Sequence, residues 1–200
     1  MQLCLHNTLA AHNFAPIDNY LAQFGIANKP PLDVVYSNAT SKLALHGSLT
    51  EVLTANPLLQ EPPSVTWPAN EGCSFTLAFM DLGPDLGGTK LKTPFSPFVH
   101  SLWTKCKASL ADCAVTIKPY LGPGNPHAAP NRYTYILFRH RAQSDKLVLF
   151  GGMAERLAGR DSKTTAASLK RWGGFSIGRL LRENAGLSAV AVNFANVRGQ

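Results

Sequence analysis

Fourteen prolines and sixteen glycines run through this chain of 200 residues and cut its middle into short pieces. Proline removes a backbone donor and clashes inside a helix, so pieces of this length suit strands and turns better than long helices. Leu32–Tyr36 and Ser64–Trp67 are predicted as short strands flanked by prolines. Ser74–Met80 alternates, with Phe75, Leu77 and Phe79 on one face and Thr76, Ala78 and Met80 on the other. Val99–Thr104, Ala114–Lys118 and Tyr133–Arg139 also read as strands. The last is apolar on both faces, which predicts a central strand covered twice. Ala191–Val197 reads as a late strand or an extended tail. Helices are predicted at Ile17–Phe24, ending at Gly25, as a turn at Leu49–Leu53, and at Ser176–Ala185. In the last, Ser176 is placed to N-cap, Ile177, Leu180, Leu181 and Asn184 share a face, and Gly186 supplies a left-handed stop. The expected fold is mainly β with a few peripheral helices, in one domain spanning 1–200.

A hydrophobic fraction of 45% with 16% charged residues excludes disorder, collagen and a coiled coil. No apolar run reaches the roughly 18 residues of a membrane span. The start, Met1-Gln2-Leu3-Cys4-Leu5-His6, lacks a basic region followed by a sustained apolar one, so a soluble, cytoplasmic protein is expected. The formal charge of +7 is uneven, with −1 over residues 1–131 and +8 over residues 132–200. Such asymmetry fits either a solvated basic face or an acidic protein partner or anionic ligand. No nucleic-acid-binding motif accompanies it. Cys4, Cys73, Cys106 and Cys113 are too sparse for a disulfide scaffold and show neither C-x-x-C nor zinc-ligand spacing, so reduced thiols and no metal are expected, with Cys106 and Cys113 unlinked. The sequon Asn38-Ala39-Thr40 matters only in a secreted protein.

Generic nucleophile, phosphate-loop, dinucleotide and zinc-protease motifs are absent, and no cofactor is expected. What remains is a constellation at strand ends. Asp81 closes the alternating strand and precedes Leu82-Gly83-Pro84-Asp85. His100 lies within a strand among apolar neighbours, and Tyr120-Leu121-Gly122-Pro123-Gly124-Asn125-Pro126 leads into Asn131-Arg132-Tyr133 at the head of the central strand. Taken singly, each piece reads as ordinary structure: a turn-capping Asp, a core histidine, a glycine turn. Together, and in this order, they form a far more specific pattern.

That pattern resembles the phosphatidylethanolamine-binding proteins, whose strands end in T-D-P-D-A-P, then carry a histidine, then a Y-x-G-x-G-P-P loop running into H-R-Y. The closing stretch, Phe175-Ser176-Ile177 with Gly186-Leu187 through Asn193-Phe194, is similar to the family's own. The likeness covers about residues 49–194, and 1–45 is divergent. It implies a large antiparallel sheet packed on a smaller one, with a strand-end pocket for phosphate-like or carboxylate-like anions. The lining residues would be Asp81, His100, Gly122, Gly124, Pro126, Asn131 and Tyr133, with His100 donating when protonated and titrating between pH 5 and 8. The chain departs from the pattern at Gly83, where the family has a second Asp, and at Asn131, where it has His.

Two functions follow from the resemblance. One is a binding module for a small anion that regulates an acidic partner protein. The other is a role in a fungal polyketide pathway, assisting dimerisation of anhydride monomers to maleidride-type products, since the stretch Leu121–Arg139 resembles fungal members. There Asp81 or His100 would remove a proton and Tyr133 with the glycine amides would hold the oxyanion.

Overall fold

The computed structural model describes residues 14–47, 52–68, 72–83, 97–125, 129–141 and 175–199. Strands β1 (Asp33–Ser37), β2 (Lys42–Ala44) and β4 (Ser64–Thr66) form a three-stranded antiparallel sheet in the order β2-β1-β4. Strands β3 (Val52–Thr54), β5 (Phe75–Asp81), β6 (Phe98–Cys106), β7 (Val115–Lys118), β8 (Asn131–Arg139) and β9 (Ser188–Arg198) form a six-stranded sheet. Its order is β3-β9-β8-β5-β6-β7, antiparallel except for the parallel β3–β9 pair.

The period-2 alternation of β5 explains the layering. Phe75, Leu77 and Phe79 face the small sheet, packing with Val34, Tyr36 and Val65. Ala78 and Met80 face the other way, toward α1 (Ala15–Ala22) and α2 (Ile177–Glu183), where Ile17, Leu21, Ile177 and Leu180 close a second core. The large sheet is therefore covered on both faces, and β8 lies inside it, buried from Arg132 to Phe138. Thr76, a polar residue on the helix-facing side, is satisfied by Thr104 at 2.9 Å and His140 Nε2 at 2.8 Å. Ser176 caps α2 by accepting from Arg179 N at 3.1 Å, and Gly186 just beyond the helix has φ 94°.

Arg132 ties α1 to the sheet. Fully buried, it lies between the rings of Phe14 (4.2 Å) and Phe194 (4.3 Å), pairs with Asp18 on α1, and donates from Nε to Asn196 Oδ1 at 3.0 Å. No helix among the described residues is long and apolar enough to cross a membrane.

Two expectations fail. Leu49–Leu53 is not a helical turn where it is described: Val52–Thr54 is an edge strand, with Val52, Leu53 and Thr54 in register with Asn196, Val197 and Arg198. The open edge of β9 offers ladder hydrogen bonds, and the β-branched Val52 and Thr54 on either side of Leu53 favour the extended form that takes them. Cys106 and Cys113 are joined in a disulfide. Lys105, at φ 56°, and the 3-10 turn Leu110–Asp112 fold the chain back on the end of β6, which brings the two sulfurs together. Cys73 remains free. Ala191–Val197 is no tail but the core of β9, the second strand of the large sheet.

Candidate functional site

The antiparallel register of β5 against β8 sets Asp81 directly across from Tyr133, and that of β5 against β6 sets it across from Phe98. Three strand ends thus converge on one carboxylate. Its Oδ1 accepts from Gly83 N at 2.6 Å, closing a tight turn in which Gly83 adopts φ 69°. Its Oδ2 accepts from Asn131 Nδ2 at 2.9 Å. The Tyr133 hydroxyl engages the Asp81 carboxylate, the Gly124 backbone and the Asn131 side chain. Burial and the neighbouring carboxylate raise its pKa well above the ordinary range, so it stays a neutral donor.

His100 completes the group. Its ring stands edge-on to Tyr133 at 5.1 Å, to Phe98 at 5.0 Å and to Phe79 at 5.4 Å. Nδ1 donates to the carbonyl of Leu121 at 2.8 Å, so the proton of the neutral ring sits on Nδ1 and Nε2 carries the lone pair. Burial pulls the pKa of His100 down to about 3, against the opposing pull of the Leu121 carbonyl, with the Lys118 cation adding to the depression. The expected protonation between pH 5 and 8 therefore does not occur in this fold. A ring walled by Phe79, Phe98 and Tyr133 cannot afford a charge.

The loop over 119–125 is held from both ends. Tyr120 donates its hydroxyl hydrogen to Leu59 O at 2.8 Å. The Tyr36 hydroxyl stands 2.6 Å from that of Tyr135 and 3.0 Å from that of Tyr120, joining the small sheet, the large sheet and the loop. Phe79 is stacked between Tyr135 (4.2 Å) and Tyr120 (5.6 Å). Desolvation pushes Tyr36 up to about 12 and Tyr120 and Tyr135 higher still, so all three hydroxyls keep their protons.

Of the residues expected to line a pocket, Asp81, His100, Asn131 and Tyr133 meet, Gly124 reaches Tyr133 through its backbone and Gly122 reaches His100 through its own. Gly122 has a further reason to be glycine: a Cβ there would stand 2.5 Å from Leu59 O and 2.8 Å from Gln60 Cα, so its backbone is pressed onto the 3-10 turn Pro57–Gln60. Pro126 and Asp85 lie outside the described residues. Sequence reasoning missed Lys118, buried on β7, whose Nζ donates to His100 O at 3.0 Å. A lysine ending an apolar strand just before Pro119-Tyr120 was the signal available.

The fold is the two-sheet architecture of solved phosphatidylethanolamine-binding proteins. Its solved members include a carboxypeptidase Y inhibitor complexed with its cognate proteinase, matched at 18% identity over 93% of this chain and 96% of that one, with a TM-score of 0.59. They also include the phosphatidylethanolamine-binding proteins of Plasmodium vivax (15% identity, 92% and 97% covered, TM-score 0.61) and Plasmodium falciparum (15%, 94% and 98%, 0.58). The chain is a divergent holder of that fold. No family model and no curated protein sequence matches it.

Proposed function

We propose that this chain is a small-molecule-binding protein whose ligand contacts Asp81, His100, Asn131 and Tyr133 at the end of the large sheet. The observation that carries the reading is the meeting of four chemistry-bearing side chains from β5, β6 and β8 at one end of the large sheet. Strands place such groups rigidly, which is what specific binding requires. A proteinase inhibitor is among the structures sharing the fold, so a regulated protein partner is a natural companion to this role. The experiment is a fragment screen read by NMR on ring-labelled tyrosine and histidine. Ligands that shift Tyr133 and His100 and lose affinity in Tyr133→Phe support the site. Ligands that map only elsewhere on the molecule count against it.

A second reading, catalysis on an anhydride-bearing polyketide monomer, draws on the Asp81 carboxylate and the neutral Tyr133 hydroxyl standing at paired positions of β5 and β8. In that case Asp81 is the base and Tyr133 the oxyanion donor, because a histidine held neutral to about pH 3 is a poor base at neutral pH. Product formation from an anhydride monomer, abolished in Asp81→Asn, distinguishes this reading from binding alone.

A further inference from the structure

The hydrogen-bond inventory of the strand-end cluster is lopsided. Several of its donors are engaged within the protein. Asn131 Nδ2 and Gly83 N donate to Asp81, the Tyr133 hydroxyl lies among Asp81, Gly124 and Asn131, and His100 Nδ1 donates to Leu121 O. Lys118 Nζ, a buried cation on β7, donates to the carbonyl of His100. The acceptors are not equally used. Asn131 Oδ1 is buried with no hydrogen-bond partner, one of three such side-chain atoms among the described residues. The other two, Arg132 Nη2 and Thr134 Oγ1, belong to the alternate residues of β8, whose side chains leave the opposite face of the sheet. His100 Nε2 is the lone-pair nitrogen of a ring whose proton is on Nδ1. A buried acceptor without a donor is costly to maintain in the absence of a ligand, and the group that relieves it carries an N–H or O–H.

Building on the binding reading above, we propose that the ligand of this site is a hydrogen-bond donor, an amide, alcohol or primary ammonium that gives its hydrogen to Asn131 Oδ1, and not a phosphate or carboxylate. An anion would meet the Asp81 carboxylate and the unpaired lone pair of Asn131, with Asn131 Nδ2, Gly83 N and His100 Nδ1 already donating within the protein. A donor meets both with the correct polarity. An ammonium gains additionally from Asp81, and a neutral amide or alcohol does not, so the two are separable.

The test is an NMR titration of the intact protein with acetamide, methylammonium chloride, sodium acetate and inorganic phosphate at matched ionic strength, following the Asn131 side-chain amide, the His100 ring nitrogens and the Tyr133 ring. The expected result is saturable shifts of all three with acetamide or methylammonium, at least about tenfold tighter than with acetate or phosphate. Tighter binding of methylammonium than of acetamide assigns Asp81 a share in the contact, and the reverse confines it to Asn131. Acetate or phosphate binding more tightly, on the same signals, overturns the donor inference and leaves the site standing. Shifts confined to residues outside the cluster with all four probes overturn both. Asn131→Leu, which removes the acceptor without adding charge, should abolish the acetamide response. If that variant fails to fold, the wild-type ranking of the four probes decides alone.

Discussion

His100 donates its Nδ1 hydrogen to the carbonyl of Leu121 at 2.8 Å, across 21 residues of sequence. One bond therefore fixes the tautomer of the buried ring and the position of the glycine-proline loop beside it. Both consequences lead to measurable effects.

Because the folded pKa of His100 is depressed to about 3 from 6.5, the unfolded chain binds a proton at this residue that the folded chain refuses. Stability from this group is in full above pH 6.5 and is lost as pH falls through the window down to about pH 3. The limiting slope within the window is about 1.4 kcal/mol per pH unit. Urea midpoints measured across pH 3–7 should show that slope flattened by about this amount in His100→Gln. Equal slopes in the two proteins would mean that the ring takes up a proton without unfolding.

Asn131→Asp places a second carboxylate 2.9 Å or so from Asp81, in place of a donor to it. Two carboxylates at that distance cannot both ionise cheaply, so one should bind a proton well above the usual carboxylate range. The variant should lose about 2 kcal/mol at pH 7 and recover part of it below pH 5, a reversal that chemical denaturation at the two pH values would detect.

Tyr36→Phe removes the hydroxyl that joins Tyr135 to Tyr120. Tyr135 is fully buried, so its hydroxyl is left without the partner at 2.6 Å, a loss of about 1–3 kcal/mol. Tyr120→Phe should cost less, since Tyr120 is only half-buried. Thermal or urea denaturation of the pair ranks the two.

Much of this architecture is legible in the residue pattern because it follows from period and punctuation. The alternation of Phe75, Leu77 and Phe79 marks β5 and its two cores, and the doubly apolar run of Tyr133–Arg139 marks a central strand. Asp81 and Tyr133 stand out for the same reason: both sit where a strand pattern ends beside a turn. What is not legible depends on long-range geometry. Nothing local to Val52–Thr54 announces a parallel partner in β9, 144 residues away. The charge state of His100 is set by Phe79, Phe98 and Tyr133, which come from three strands, and Tyr36 reaches the loop from the divergent N-terminal part. The Cys106–Cys113 spacing looks like chance until the turn at Leu110–Asp112 closes it.

That disulfide gives a further outcome. Closing so short a loop restricts the unfolded chain only modestly, so Cys113→Ser or full reduction should lower stability by about 2 kcal/mol without unfolding the two cores. Peptide mapping under non-reducing conditions should recover residues 106 and 113 in one linked pair, with Cys73 alkylated.

The most direct measurement is the long-range nitrogen–proton NMR spectrum of the His100 ring between pH 4 and 8. A ring held neutral, with its proton on Nδ1 and its lone pair on Nε2, should show one pyrrole-like and one pyridine-like nitrogen, unchanged across the range. A site of that kind is built around acceptors. Two nitrogens converging on the imidazolium shift with a midpoint between pH 6 and 7 would put a charge on the ring between Phe79, Phe98 and Tyr133 and contradict the account.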